Sequence, residues 1–336
     1  MRKRILGVVL IGVMLGLGGC VTEAPIEEPA PHYAGPVAPV VITSGNAGEV
    51  AWRAYDLLDG MDVDVTGLLA ELPVTSQVAG AGRLGGPLAR LEAVLSVLPE
   101  LQQDLAGVAS GLRGQGWLDC AVGGVAWEAD QAVPGVVSPG DRYVLDFVGC
   151  ERSGVWLDGR VIVTIDTARG ERGVDGFRLA GAVRFEALAF DDGAPGLQDG
   201  RLWFDEWVEA GVAGRQVSGD VLYLRHAGAA FRYHDFTFRR EDDGLNLTLA
   251  ADYRLDSTLL GGHIAVSTPD AFVDDGAGPW RGRLRVQGAG GAWLELEAEP
   301  DARHLTLRWD ITPPVDDLAD GVETLPWAGL PWWTAY

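Results

Sequence analysis

Gly159-Arg-Val-Ile-Val163, Gly181-Ala-Val-Arg-Phe185, Gly200-Arg-Leu-Trp-Phe204, Gly219-Asp-Val-Leu-Tyr223, Gly262-His-Ile-Ala-Val266 and Gly282-Arg-Leu-Arg-Val286 repeat one pattern. A glycine is followed by an aliphatic or aromatic residue at every second position. A period of two is that of a strand with one face buried, because successive side chains point to opposite sides of the backbone. The glycines lie 22, 19, 19, 43 and 20 residues apart. The long interval reads as two units, with a degenerate copy near Gly244 where Leu245, Leu247 and Leu249 alternate with polar residues. A unit of about 20 residues accommodates two short strands and two turns, so repeated antiparallel hairpins are expected.

The return strands are expected at Tyr143 to Phe147, Phe231 to Phe238, Trp293 to Leu296 and Leu305 to Trp309. Glu295 and Glu297 alternate with Leu294 and Leu296, and Arg308 sits between Leu307 and Trp309, which gives one core face and one wet face. In Phe231-Arg-Tyr-His-Asp-Phe-Thr-Phe238 the apolar phase slips from odd to even positions, the signature of a β-bulge near His234. Asp191-Asp192-Gly193, Asp242-Asp243-Gly244 and Asp274-Asp275-Gly276 supply turn residues between units.

Upstream of Gly114-Gln115-Gly116 the period is helical. Asn46 and Glu49 have the spacing of a capping box, followed by Val50, Ala54, Leu57 and Leu58, with Gly60 as a stop. Leu88, Leu91, Leu95, Leu98, Leu101, Leu105, Val108 and Leu112 form a stripe on a second helix, with Pro87 in its first turn and Pro99 at a kink. The expected fold is mainly β with an N-terminal helical segment. It is a large antiparallel meander of hairpin repeats, an open sheet or half-barrel, with one face covered by amphipathic helices.

The N-terminus reads as an export signal. Arg2, Lys3 and Arg4 precede an apolar run from Ile5 to Leu17, and Leu17-Gly18-Gly19-Cys20 follows. That tetrad resembles the lipobox of bacterial lipoproteins. The resemblance implies cleavage before Cys20, acylation of its thiol and of the new amine, and a firm anchor without an inserted helix. Val21 stands where an inner-membrane retention signal of Gram-negative bacteria would place Asp, so outer-membrane sorting on the periplasmic side is expected. The expected organisation is a signal at 1–19, a Pro- and Glu-rich tether at 20–45, a helical segment at 46–115, a β domain at 116–315 and an aromatic tail at 316–336.

Removing residues 1–19 leaves 23 basic and 48 acidic residues, a net charge of −25, which disfavours nucleic acid as a partner. Lys3 is the only lysine and leaves with the signal. A mature chain without lysine has no Schiff-base lysine, no Ser-Lys dyad and no P-loop lysine. Cys120 and Cys150 remain after lipidation and face an oxidising compartment, where an even count favours a disulfide; two buried thiols are the alternative.

The remaining motifs are incomplete. Gly80-Ala-Gly-Arg-Leu-Gly85 has dinucleotide-fingerprint spacing but lacks a βαβ context, and reads as a loop. Asp62-Val-Asp-Val-Thr-Gly67 opens like a calcium loop, yet Pro73 occupies the position of the bidentate Glu. Asp62 and Asp64, with Asp310 and Asp316 in a looser group that includes Asp317 and Asp320, are the candidate metal ligands, and solvated turns account for the looser group better. His32, His226, His234, His263 and His304 form no metalloprotease motif, and no Gly-x-Ser-x-Gly is present. His234 and Asp235, adjacent on a strand, are expected to face opposite ways. Trp327, Trp332, Trp333 and Tyr336 suggest a tail across the sheet edge, with Pro326 and Pro331 breaking strand alternation.

No catalytic residue and no cofactor are expected. The glycine-started strands and the Cys120/Cys150 pair resemble β-rich Gram-negative envelope lipoproteins, a likeness that implies location rather than chemistry. Three functions compete: a non-enzymatic binding or scaffolding lipoprotein, a carrier of lipid or another apolar ligand with a cavity between sheet and helices, and a hydrolase. Lipid and envelope proteins are the candidate partners, beyond the membrane itself. A filled space beneath the helices favours the scaffold, and an open one the carrier.

Overall fold

In the computed structural model, residues 33–59, 91, 94, 97, 98, 100, 101, 113–133, 136–152, 154–171, 173–275, 278–312 and 318–326 are described. The alternating segments form fourteen strands among these residues. They are β1 (Arg113–Asp119), β2 (Gly124–Asp130), β3 (Arg142–Arg152), β4 (Val155–Arg169), β5 (Arg178–Asp191), β6 (Pro195–Glu209), β7 (Val212–His226), β8 (Ala229–Asp242), β9 (Leu247–Ser257), β10 (Gly262–Asp274), β11 (Pro279–Gln287), β12 (Trp293–Ala298), β13 (His304–Asp310) and β14 (Gly321–Pro326). They join in sequence order into one open antiparallel sheet whose edges are β1 and β14.

The repeat unit differs from expectation. Each glycine-led unit is one long strand rather than a hairpin of two: Gly159, Gly181, Gly200 and Gly219 fall inside β4, β5, β6 and β7, which are 14 or 15 residues long. The glycines are needed mid-strand for two reasons. Gly159 and Gly200 take φ of +126° and +122° at register shifts, where a Cβ would be strained. The aspartate before each glycine reaches into the neighbouring strand and accepts an N–H there, Asp158 from Gly149 at 3.1 Å and Asp199 from Ala187 at 2.9 Å. The second reason is close packing. Gly116, Gly196, Gly214, Gly219 and Gly321 lie directly opposite Trp127, Phe190, Trp207, Phe236 and Trp309, and each aromatic ring occupies the volume a Cβ would take.

The phase slip in β8 is a bulge at Asp235, with φ of +45° and a register shift between His234 and Thr237. The extra residue lets Phe231, Tyr233, Phe236 and Phe238 all face the core, each at most 4% exposed. The aspartates of the turns act as expected: Asp191 and Asp242 accept N–H groups from Gly193 and Gly244, and Asp243 from Leu245 and Asn246.

One face of the sheet belongs to a continuous apolar core. Helix α1 (Ala47–Asp59) packs on it over β9, β11, β12 and β13, burying Ala47, Val50, Ala51, Ala54 and Tyr55. Tyr253 donates to the Ala54 carbonyl at 3.0 Å, and Tyr55 meets Phe272 edge-on. Leu91, Leu98 and Leu101 of the leucine stripe are buried in the same core with Val94 and Val97, whereas Leu88, Leu95, Leu105, Val108 and Leu112 lie outside the described residues. No helix among the described residues is long and apolar enough to cross a membrane.

Two strand limits and one helix cap differ from the sequence reading. Strand pairing begins at Arg113 rather than after Gly116, because Gly116 seats the Trp127 ring. Gly321 to Pro326, expected in the tail, form the last strand; Asp320 accepts N–H groups from Ile311 and Thr312 and closes the connection to it. The capping box is absent: the Asn46 side chain bonds back to Thr43 and Val41, and Glu49 pairs with Arg53 instead. The signal and Cys20, Asp62 and Asp64, the Gly80–Gly85 loop, Asp316, Asp317 and residues 327–336 lie outside the described residues.

Candidate functional site

The face away from the core carries alternating charge and aromatic side chains. On β10 to β13, Arg283 lies 2.9 Å from Asp270 and 3.7 Å from Glu295, and Arg308 lies 2.7 Å from Glu297. Arg201 stacks on Trp203, Arg239 on Trp207 and Arg285 on Trp293. Most of these pairs are solvated and contribute little individually. One group on this face is different.

Asp256 belongs to the polar face, yet it is fully buried. Its Oδ2 accepts from Arg232 Nε at 2.8 Å and from His234 Nε2 at 2.7 Å, Arg232 Nη2 pairs with the same oxygen as an ion at 2.7 Å, and Arg254 Nη2 stands 3.9 Å from Oδ1. The register builds this arrangement. Arg232 is directly opposite Asp256, and His234 opposite Arg254, across β8 and β9; Tyr223 of β7 and His263 of β10 extend the row. The bulge one residue after His234 ends the alternation there, so Arg232 and His234 share this face while four aromatics of the same strand enter the core. Burial opposes ionisation of Asp256, but the hydrogen bonds from His234 and Arg232 and the charge of Arg232 outweigh it and hold the carboxyl below its ordinary range.

A strap from the N-terminal side covers the group. The Tyr33 ring lies 5.1 Å from the Arg232 guanidinium, and its hydroxyl donates to the Pro36 carbonyl. Burial, and next the charge of Asp256, raise the Tyr33 pKa against the opposing effect of Arg232. His263 Nδ1 donates to the Val37 carbonyl at 2.8 Å, its backbone N–H to Ala38 and its carbonyl accepts from Val40. The Val40 carbonyl accepts from Ala289, so residues 37–40, expected to be a solvated tether, are fastened to the sheet.

His226, 7% exposed, bonds Asp192 at 2.9 Å and stacks on Phe190; His304 bonds Asp301 and, with two backbone N–H groups, brings that carboxyl down to about 2. His234 therefore pairs with Asp256 rather than Asp235, and no hydroxyl or thiol among the described residues bonds to it. Asp310 is buried and Asp320 accepts backbone N–H groups from Ile311 and Thr312, while Asp316 and Asp317 lie outside the described residues; among the described residues no three His, Cys, Asp or Glu are placed to hold a metal. Cys120 and Cys150 are joined in a disulfide.

The partners of Asp256 escaped sequence reading because they come from three separated stretches. The alternation of Arg254 and Asp256 with Tyr253 and Leu255 was the available signal that both point away from the core. Comparison with known families, curated proteins and solved structures returned no match.

Proposed function

We propose that the chain is a non-enzymatic binding scaffold of the cell envelope, acylated at Cys20, held at the periplasmic side of the outer membrane, and making its contacts through the exposed face and edges of the sheet. One observation carries the choice of scaffold over carrier. Val163, Val183, Leu202, Leu222, Ile264, Leu284 and Leu294, spread across the core face from β4 to β12, have no accessible area. A side chain with no accessible area borders no space that would admit even a water molecule, whereas a carrier needs a ligand-sized cavity lined by such side chains. The fastening of residues 37–40 to β10 suits a tether that must bear load.

The reading is tested on protein purified from a Gram-negative host. Intact mass should exceed that of residues 20–336 by the mass of the acyl groups, and Cys20→Ala should abolish the excess. Solvent extraction should release no stoichiometric lipid. An unacylated native protein overturns the anchor, and a stoichiometric extractable lipid replaces the scaffold with the carrier.

A further inference from the structure

We propose that β1 is a self-recognition edge, through which two copies of this chain join their sheets by antiparallel β1–β1 pairing about Gly116. Among the described residues β1 pairs only with β2, and the pairing runs from Arg113–Asp130 to Asp119–Gly124 without a register shift. An exposed edge presents unpaired backbone N–H and C=O groups, and proteins usually blunt it with lysine, proline or a bulge. Arg113-Gly-Gln-Gly-Trp-Leu-Asp119 contains none of these. The other edge, β14, is shorter and ends in Pro326.

The edge is held rather than frayed. The Cys120–Cys150 disulfide joins the turn after β1 to β3, Ala121 donates to the Glu151 carbonyl, and Glu151 donates to that of Val122. A strand fixed in its bound shape loses little entropy on pairing.

Charge selects the occupant. Two β1 strands related by a two-fold axis through Gly116 place Arg113 opposite Asp119 of the second copy, and Asp119 opposite its Arg113. Gln115 then faces Trp117 of the second copy, so an indole that is 48% exposed gains a neighbour. Among the described residues Arg113, its side chain 85% exposed, pairs with Asp130, and Asp119 accepts from Trp117 Nε1 through one oxygen. Opposed unlike charges support strand pairing and like charges oppose it. Seven residues a side is a small interface, which sets a weak, concentration-dependent dimer.

Sedimentation equilibrium of the full chain, in density-matched detergent and up to about 100 µM, reads the association. Dimer is expected, Arg113→Asp and Asp119→Arg should each weaken it about tenfold, and the double variant, with the pairs reversed, should restore it. Circular dichroism and an intact disulfide check that the variants fold. A wild-type monomer throughout the range, or a dimer indifferent to Arg113→Asp, or single losses that the double variant fails to restore, each overturns the proposal.

Discussion

Asp256→Ala removes the acceptor of two charge-assisted hydrogen bonds, one from Arg232 and one from His234, together with the ion pair to Arg232 Nη2. Each such bond contributes roughly 1.5 to 3 kcal/mol, and breaking a buried ion pair from one side costs about 3 to 5 kcal/mol when the stranded charge stays dry. Here the stranded groups are not dry: the Arg232 and His234 side chains are 30% and 23% exposed and can turn towards water. The cost should therefore fall to about 2 to 3 kcal/mol, with a melting temperature lower by roughly 4 to 6 °C for a domain of this size. Urea denaturation at pH 7 followed by tryptophan fluorescence measures it, and an unchanged m-value shows that the same surface is exposed. The pH dependence has a definite sign. The carboxyl is depressed in the fold, so its stabilisation is present above the unfolded pKa of about 3.8 and is lost as pH falls through the lower folded value. The variant and the parent should converge in that acid range. A loss below about 0.5 kcal/mol at pH 7, or a gap that persists once Asp256 is protonated, would show that the network does not hold β8 to β9.

Two further outcomes follow from packing and cross-linking. Replacing both Cys120 and Cys150 with serine should cost about 3.5 kcal/mol for a 30-residue separation, read as a lower urea midpoint that reductant does not shift further. Gly214→Ala puts a Cβ 2.2 Å from the Trp207 ring, displacing the indole and its stack with Arg239, at about 1 to 3 kcal/mol; Gly45→Ala, whose Cβ meets nothing nearer than 3.8 Å, should be close to neutral in the same urea titration.

Local periodicity carried most of the architecture. Alternation of side chains is written directly into sequence, so the antiparallel β assignment, the two unlike faces, the bulge in β8 and the Asp-Gly turns were all legible from single segments. Length was not, because an alternating segment continues equally well as one long strand or as two joined by a turn. The difference lies in whether a glycine turns the chain or, as at Gly159 and Gly200, bends a strand that goes on. The glycines under Trp127 and Trp207 were also invisible as such, since the ring that needs the space belongs to the next strand.

What the sequence alone determined is whatever depends on neighbours along the chain: the strand class, the polarity of each face, and a chain whose only lysine is Lys3. Only the tertiary structure decided which charges meet. Tyr33, Arg232, Asp256 and His263 come together because strand register aligns three of them and a strap lays the fourth across the row. A buried carboxylate is stable only where its donors converge in space, and that convergence is a property of register, which no single segment contains.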